Sequence, residues 1–95
     1  MELQDAYRQK MSAQLKEWSA QINLLEAKVS NASAEMQVKH AEALSNLRAQ
    51  QHAAAVKMRE LGSANGKAWV QVKLTAEKVW DDLKIGIANT QAIFK

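Results

Sequence analysis

The chain has no cysteine and no proline, and among its 95 residues are only three glycines, three tryptophans, one tyrosine and one phenylalanine. Each scarcity excludes something. Without cysteine there is no disulfide framework and no thiolate metal site. Without proline, and with glycine confined to positions 62, 66 and 86, a multi-stranded sheet would lack its turn residues. The apolar runs are short, Ala53-Ala54-Ala55-Val56 being representative, so no bilayer-spanning helix is expected. The opening Met1-Glu2-Leu3-Gln4-Asp5 leads into no apolar stretch of signal-peptide type. A cytoplasmic location is the default expectation. A length of 95 residues holds one domain, 1–95, with a small core.

One-sided charge is also missing. Thirteen Lys and Arg stand against ten Asp and Glu, a formal net of +3, and the pI of 9.3 comes from bases spread singly among acids. A nucleic-acid binder concentrates its bases in a stripe or cluster, so no nucleic-acid partner is expected. Several charges fall at helical i,i+4 spacing: Glu35 with Lys39, Lys73 with Glu77, Lys78 with Asp82. Such pairs add only about 0.2–0.5 kcal/mol each and keep an exposed face soluble.

Chemistry-bearing patterns are absent too. There is no Gly-x-Ser-x-Gly elbow, no phosphate-cradling glycine loop and no His-Glu-x-x-His. His40 and His52 are separated by roughly 18 Å along a helix and cannot share a metal within one chain. Buried between helices, His40 would be a pH-sensitive spot; a polar insertion in or beside an apolar seam is the plainer reading. Asp81 and Asp82 point about 100° apart on a helix. The sequence therefore leads to no catalytic residue, no metal site and no cofactor, and to a non-enzymatic protein.

What is present is helix. Ala, Gln, Glu, Lys, Leu and Met dominate from Leu3 to Leu61, and all favour the helical state. Leu61-Gly62-Ser63-Ala64-Asn65-Gly66 then interrupts, with Gly62 suited to a left-handed C-terminal position and Ser63 or Asn65 to capping the next helix. From Lys67 the helical pattern resumes to the end. In the first helix Leu15, Trp18, Ile22, Leu25, Val29, Ala32 and Met36 step by three and four, as in a coiled-coil seam. The seam continues through His40, Ala43, Leu47, Gln51, Ala54, Met58 and Leu61 with eleven-residue units, which predict a long, gently curved rod.

The second helix repeats with the same period, Lys67 to Glu77 aligning with Lys78 to Ala88. Trp69, Val72, Ala76, Trp80, Leu83, Ile87 and Phe94 share one face. Val70, Leu74 and Ile85 form a thinner stripe nearly opposite, and a helix apolar on two sides is usually packed on two sides. The tryptophans read as packing anchors.

Length arithmetic favours an all-α antiparallel hairpin. A helix over about 3–61 would be roughly 88 Å long, and one over about 66–94 roughly 43 Å. The turn at 62–66 would set Leu47, Met58 and Leu61 against Trp69, Val72, Trp80, Leu83, Ile87 and Phe94 within the chain. Leu15, Trp18, Ile22, Leu25 and Val29 would then lack an intrachain partner, and with Leu74 and Ile85 they are the predicted self-association interface of a coiled-coil, four-helix dimer. The alternative is a monomeric three-helix bundle broken at 30–33. Ser30, Asn31, Ala32 and Ser33 include no glycine or proline and the apolar phase runs through them, which favours the hairpin.

The stretch Ala68-Trp69-Val70-Gln71-Val72-Lys73, followed by Glu77-Lys78-Val79-Trp80-Asp81-Asp82-Leu83-Lys84 and then Ala88, Ala92 and Phe94, resembles small bacterial coiled-coil proteins of unknown function. Those proteins carry a repeated Ala-Trp-x-x-Leu-Lys unit and a terminal Phe. The likeness covers the tail, and the first helix only by composition. Leu74 and Val79 are larger than the residues usual there, in keeping with a second packing face. The resemblance implies architecture and no activity.

Two functions are consistent with these patterns. The first is a structural or assembly module that associates with itself, or with another helical protein. The second is a peripheral membrane binder in which Lys73 and Lys84 flank inserted Trp69, Trp80 and Phe94. Leu74 and Ile85 spoil the polar face that this role needs, and Asp81 and Asp82 would be repelled by anionic lipid.

Overall fold

The computed structural model describes residues 2–93. Among them the chain forms three α-helices, α1 (Glu2–Ser30), α2 (Ala34–Ser63) and α3 (Gly66–Ile93). The helix predicted over 3–61 is thus divided at 31–33, within the 30–33 segment of the bundle alternative. Ser30, Asn31 and Ser33 explain the division, because their side chains offer the backbone partners outside a helix. Ser33 caps α2, its Oγ accepting from the Met36 N–H at 3.4 Å. The Gln37 amide donates to the carbonyls of Ser30 and Ala32, both at 3.2 Å. Turning here folds α1 back onto the other two helices, which buries the apolar seam that a single rod would leave bare.

The second turn differs in detail from expectation. Gly62 stays inside α2, and the left-handed glycine is Gly66, with φ +59°. Arg8 of α1 reaches across to this end, its guanidinium donating to the Leu61 carbonyl at 2.7 Å and the Ala64 carbonyl at 3.4 Å. Those are carbonyls that the end of a helix leaves without intrahelical partners. Opposite outcomes are expected for the two glycines. Among the described residues nothing lies within 4 Å of a Cβ built at Gly62, so Gly62→Ala should stabilise by about 0.5 kcal/mol through helix propensity. Gly66→Ala should cost about 1 kcal/mol, the penalty of a left-handed Cβ. Urea titration of the two variants checks both signs.

The molecule is 50 × 18 × 17 Å between Cα extremes, an up-down-up arrangement in which α2 packs against both neighbours. Burial follows heptads in every helix. Met11, Ile22, Leu25 and Val29 are buried on α1, with Leu15 and Trp18 half-buried between them. On α2 the buried residues are His40, Leu47, Ala54 and Leu61, one every seven positions. On α3 they are Ala76, Trp80, Leu83, Ile87 and Thr90. Alternating steps of three and four are the pattern of helices packed side by side in a bundle, so the eleven-residue rod expected from sequence is replaced by three seven-residue seams. Gly86 permits close approach of α3 to α2: a Cβ there would collide with the Gln50 side-chain oxygen and lie 3.2 Å from Leu47 Cδ2.

Candidate interaction surface

The predicted interface residues part company in the structure. Ile22, Leu25 and Val29 are buried inside the chain, with Leu15 and Trp18 half-buried beside them. Ile22 and Leu25 belong to the core cluster shared with α2 and α3, and Leu15 and Trp18 pack against it. Leu74 and Ile85 do reach solvent, 63% and 57% exposed, and Val70 joins them at 53%. The intrachain packing set fares differently. Leu47, Leu61, Trp80, Leu83 and Ile87 are buried, while Met58, Trp69 and Val72 are half-buried against that core. Phe94 lies outside the described residues.

At 3.6 residues per turn, Val70, Leu74, Lys78, Asp81, Ile85 and Ala88 fall within an arc of about 80°. All six are exposed. This stripe points away from Trp80, Leu83 and Ile87, so folding leaves it uncovered. Leu3, Leu24 and Val38 are also exposed, but they stand singly on other helices and form no comparable line.

The flanks of the bundle show how it is held, in ways the sequence did not reveal. Arg48 of α2 joins both carboxylate oxygens of Glu26 on α1, one of them at 2.7 Å. The same guanidinium donates to Asn23 Oδ1 at 3.1 Å and Gln51 Oε1 at 2.6 Å, and the Gln51 amide passes the chain on to Ser19 Oγ at 2.8 Å. Hydrogen bonding from Arg48 holds the Glu26 carboxyl below its ordinary range, and the same contact raises Arg48. The three i,i+4 pairs expected from spacing do not form among the described residues. The ion pairs among the described residues are Asp5–Arg8, Glu26–Arg48 and Lys57–Glu60.

Lys73 has a different partner from the one expected. Its ammonium lies 5.2 Å from the centre of the Tyr7 ring and 5.6 Å from that of Trp69, while the two rings meet edge-on at 5.6 Å. The Tyr7 hydroxyl donates to Glu77 Oε1 at 3.4 Å. This cluster ties the start of α1 to α3. Burial, then the Glu77 charge and hydrogen bond, push the Tyr7 phenol up from 10.0 to about 12. The folded chain therefore keeps a proton that the unfolded chain releases between those values, so the Tyr7 contribution to stability is fully present below pH 10 and is lost as pH rises towards 12. Because the ring is half-buried, solvent screening should hold the loss to about 1 kcal/mol. Chemical unfolding at pH 9, 10 and 11 should show this slope for the wild type, with a shallower one for Tyr7→Phe. Equal slopes would remove Tyr7 as the source.

The surface thus combines an apolar line with exposed charges of both signs on α3, and the aromatic cluster lies to one side of it. Comparison with protein families, curated proteins and solved structures returned no match to this chain.

Proposed function

We propose that the chain is a non-enzymatic assembly module that associates with a second copy of itself through the outer face of α3. The observation carrying this reading is the exposure of Val70, Leu74 and Ile85 in one line on a helix whose opposite face is already buried. A line of large apolar side chains left in water by a complete fold marks an association surface. The protomer that associates is a three-helix bundle, since Ile22, Leu25 and Val29 are used within the chain.

The lipid-surface alternative is disfavoured by the same packing. Trp80 is only 4% exposed, so inserting it into a membrane requires α3 to leave the bundle and expose Leu83 and Ile87 as well. Among the described residues no helix is long and apolar enough to cross a membrane. The test is sedimentation equilibrium over a hundredfold range of concentration. A mass rising towards twice 10.6 kDa supports self-association, and a constant 10.6 kDa overturns it.

A further inference from the structure

We infer that two copies pair antiparallel along α3, about a two-fold axis passing between Val79 and Trp80, with Lys78 of each copy facing Asp81 and Asp82 of the other. The inference rests on the self-association proposed above and adds the partner's orientation. Its basis is the order of residues on the exposed stripe: Lys67, Val70, Leu74, Lys78, Asp81, Ile85, Ala88 and Ala92. Reversed about its centre, this line is complementary to itself. Positions equally far from the axis face each other, so Leu74 meets Ile85 of the partner subunit, and Lys78 meets Asp81 of the partner subunit. Two-fold symmetry repeats both contacts.

Asp82 lies on the same flank as Lys78 and adds to that pairing. On the other flank, Lys84 comes within one turn of Glu77 of the partner subunit. A parallel pairing would set Lys78 on Lys78 and Asp81 on Asp81, which is repulsive. Charge complementarity of this kind fixes orientation more than it adds affinity. Lys78, Asp81, Asp82 and Lys84 are all exposed, and none of them has an ion-pair partner within the described residues. Towards the ends the line turns to small or slender groups, with Val70 opposite the Ala88–Asn89 region of the partner subunit, so the helices can approach closely at the apolar contacts.

Two experiments on the full chain test the register. In the first, Lys78→Glu should weaken dimerisation about tenfold, because attractive pairs across the axis become repulsive ones. Adding Asp81→Lys and Asp82→Lys to it should restore the wild-type dissociation constant. In a parallel pairing neither change has this effect, since like still faces like. All three positions are exposed, so unchanged helical dichroism verifies that the variants fold.

The second uses the absence of native cysteine. A mixture of Leu74→Cys and Ile85→Cys chains should give the mixed disulfide on mild oxidation, and each variant alone should give little, because a disulfide needs Cα atoms within about 7 Å. Eleven helical residues separate positions 74 and 85 by roughly 16 Å. A mixed disulfide with charge-swap rescue supports the antiparallel register. Dimers that cross-link 74 to 74 and ignore Lys78→Glu overturn the register and leave self-association standing. A wild type that is monomeric throughout overturns both.

Discussion

Trp80→Ala is expected to lower the unfolding free energy by about 3–5 kcal/mol, the range for removing a buried aromatic from a packed core. The side chain is 4% exposed and sits on the seam with Ala76, Leu83 and Ile87. A small domain has only about 5–15 kcal/mol to lose, so the variant should give up a large fraction of its stability. Trp80→Phe separates volume from polarity. The Trp80 indole N–H is buried with no acceptor among the described residues, so exchanging the indole for a phenyl ring also removes an unsatisfied donor, which offsets part of the lost packing. That variant should cost about 1 kcal/mol. Guanidinium titrations followed by far-ultraviolet dichroism give both values. A Trp80→Ala chain as stable as the wild type would mean that α3 is not docked on α1 and α2.

Leu74→Glu combined with Ile85→Glu is expected to do the reverse: abolish self-association and leave the fold intact. Both side chains are more than half exposed, so the monomer loses little by the change. In the antiparallel pair, however, each new carboxylate faces another across the axis and replaces an apolar contact. Truncating or charging the anchors at the centre of an interface commonly costs 2 kcal/mol or more, which is about a thirtyfold loss of affinity. The double variant should run as a monomer at concentrations where the wild type is dimeric. In dilute solution, where both are monomers, their unfolding midpoints should agree. Together with Trp80→Ala, it separates the two faces of α3: one face governs stability, the other mass.

The helical class, the turn near Gly62 and the two-faced character of α3 were legible because each rests on local chemistry. Helix propensity is read residue by residue, and Val70, Leu74 and Ile85 stand opposite Trp69, Trp80 and Leu83 at any helical period near 3.6. The break at 31–33 was harder to see. Its signals are a capping serine and a short run of weak helix formers, each worth only a fraction of the energy that α1 gains by folding back. The apolar phase itself concealed it. The steps from Val29 through Ala32 and Met36 to His40 include an extra four-residue stride, which reads as an eleven-residue unit in a continuous rod. In the structure that stride is where the chain turns, and Met36 is exposed while the seam restarts at His40.

The expectation that Leu15, Trp18, Ile22, Leu25 and Val29 pair between chains depends on that unbroken rod. Once α1 folds back, their partners are intrachain. The Arg48–Glu26 bridge and the Lys73–Tyr7–Trp69 cluster were not legible for a different reason. Each joins residues on separate helices, and no spacing along one helix encodes which rotation and offset two helices adopt. That Leu74 and Ile85 lie opposite the packed face of α3 was legible because it depends on helical spacing within α3.

Light scattering after size exclusion, with small-angle scattering on the same peak, tests pairing through α3 most directly when the wild type is run beside the Leu74→Glu, Ile85→Glu chain. Three-helix protomers paired through α3 predict a wild-type mass near twice 10.6 kDa and a maximum dimension of about 60–70 Å, since helices laid side by side in reverse overlap along most of their length. The variant should return to 10.6 kDa. A wild type that stays at 10.6 kDa at every concentration would contradict the assembly role. A dimer extending beyond about 90 Å would contradict the bundled protomer, because only a helix running unbroken through 31–33 reaches that length.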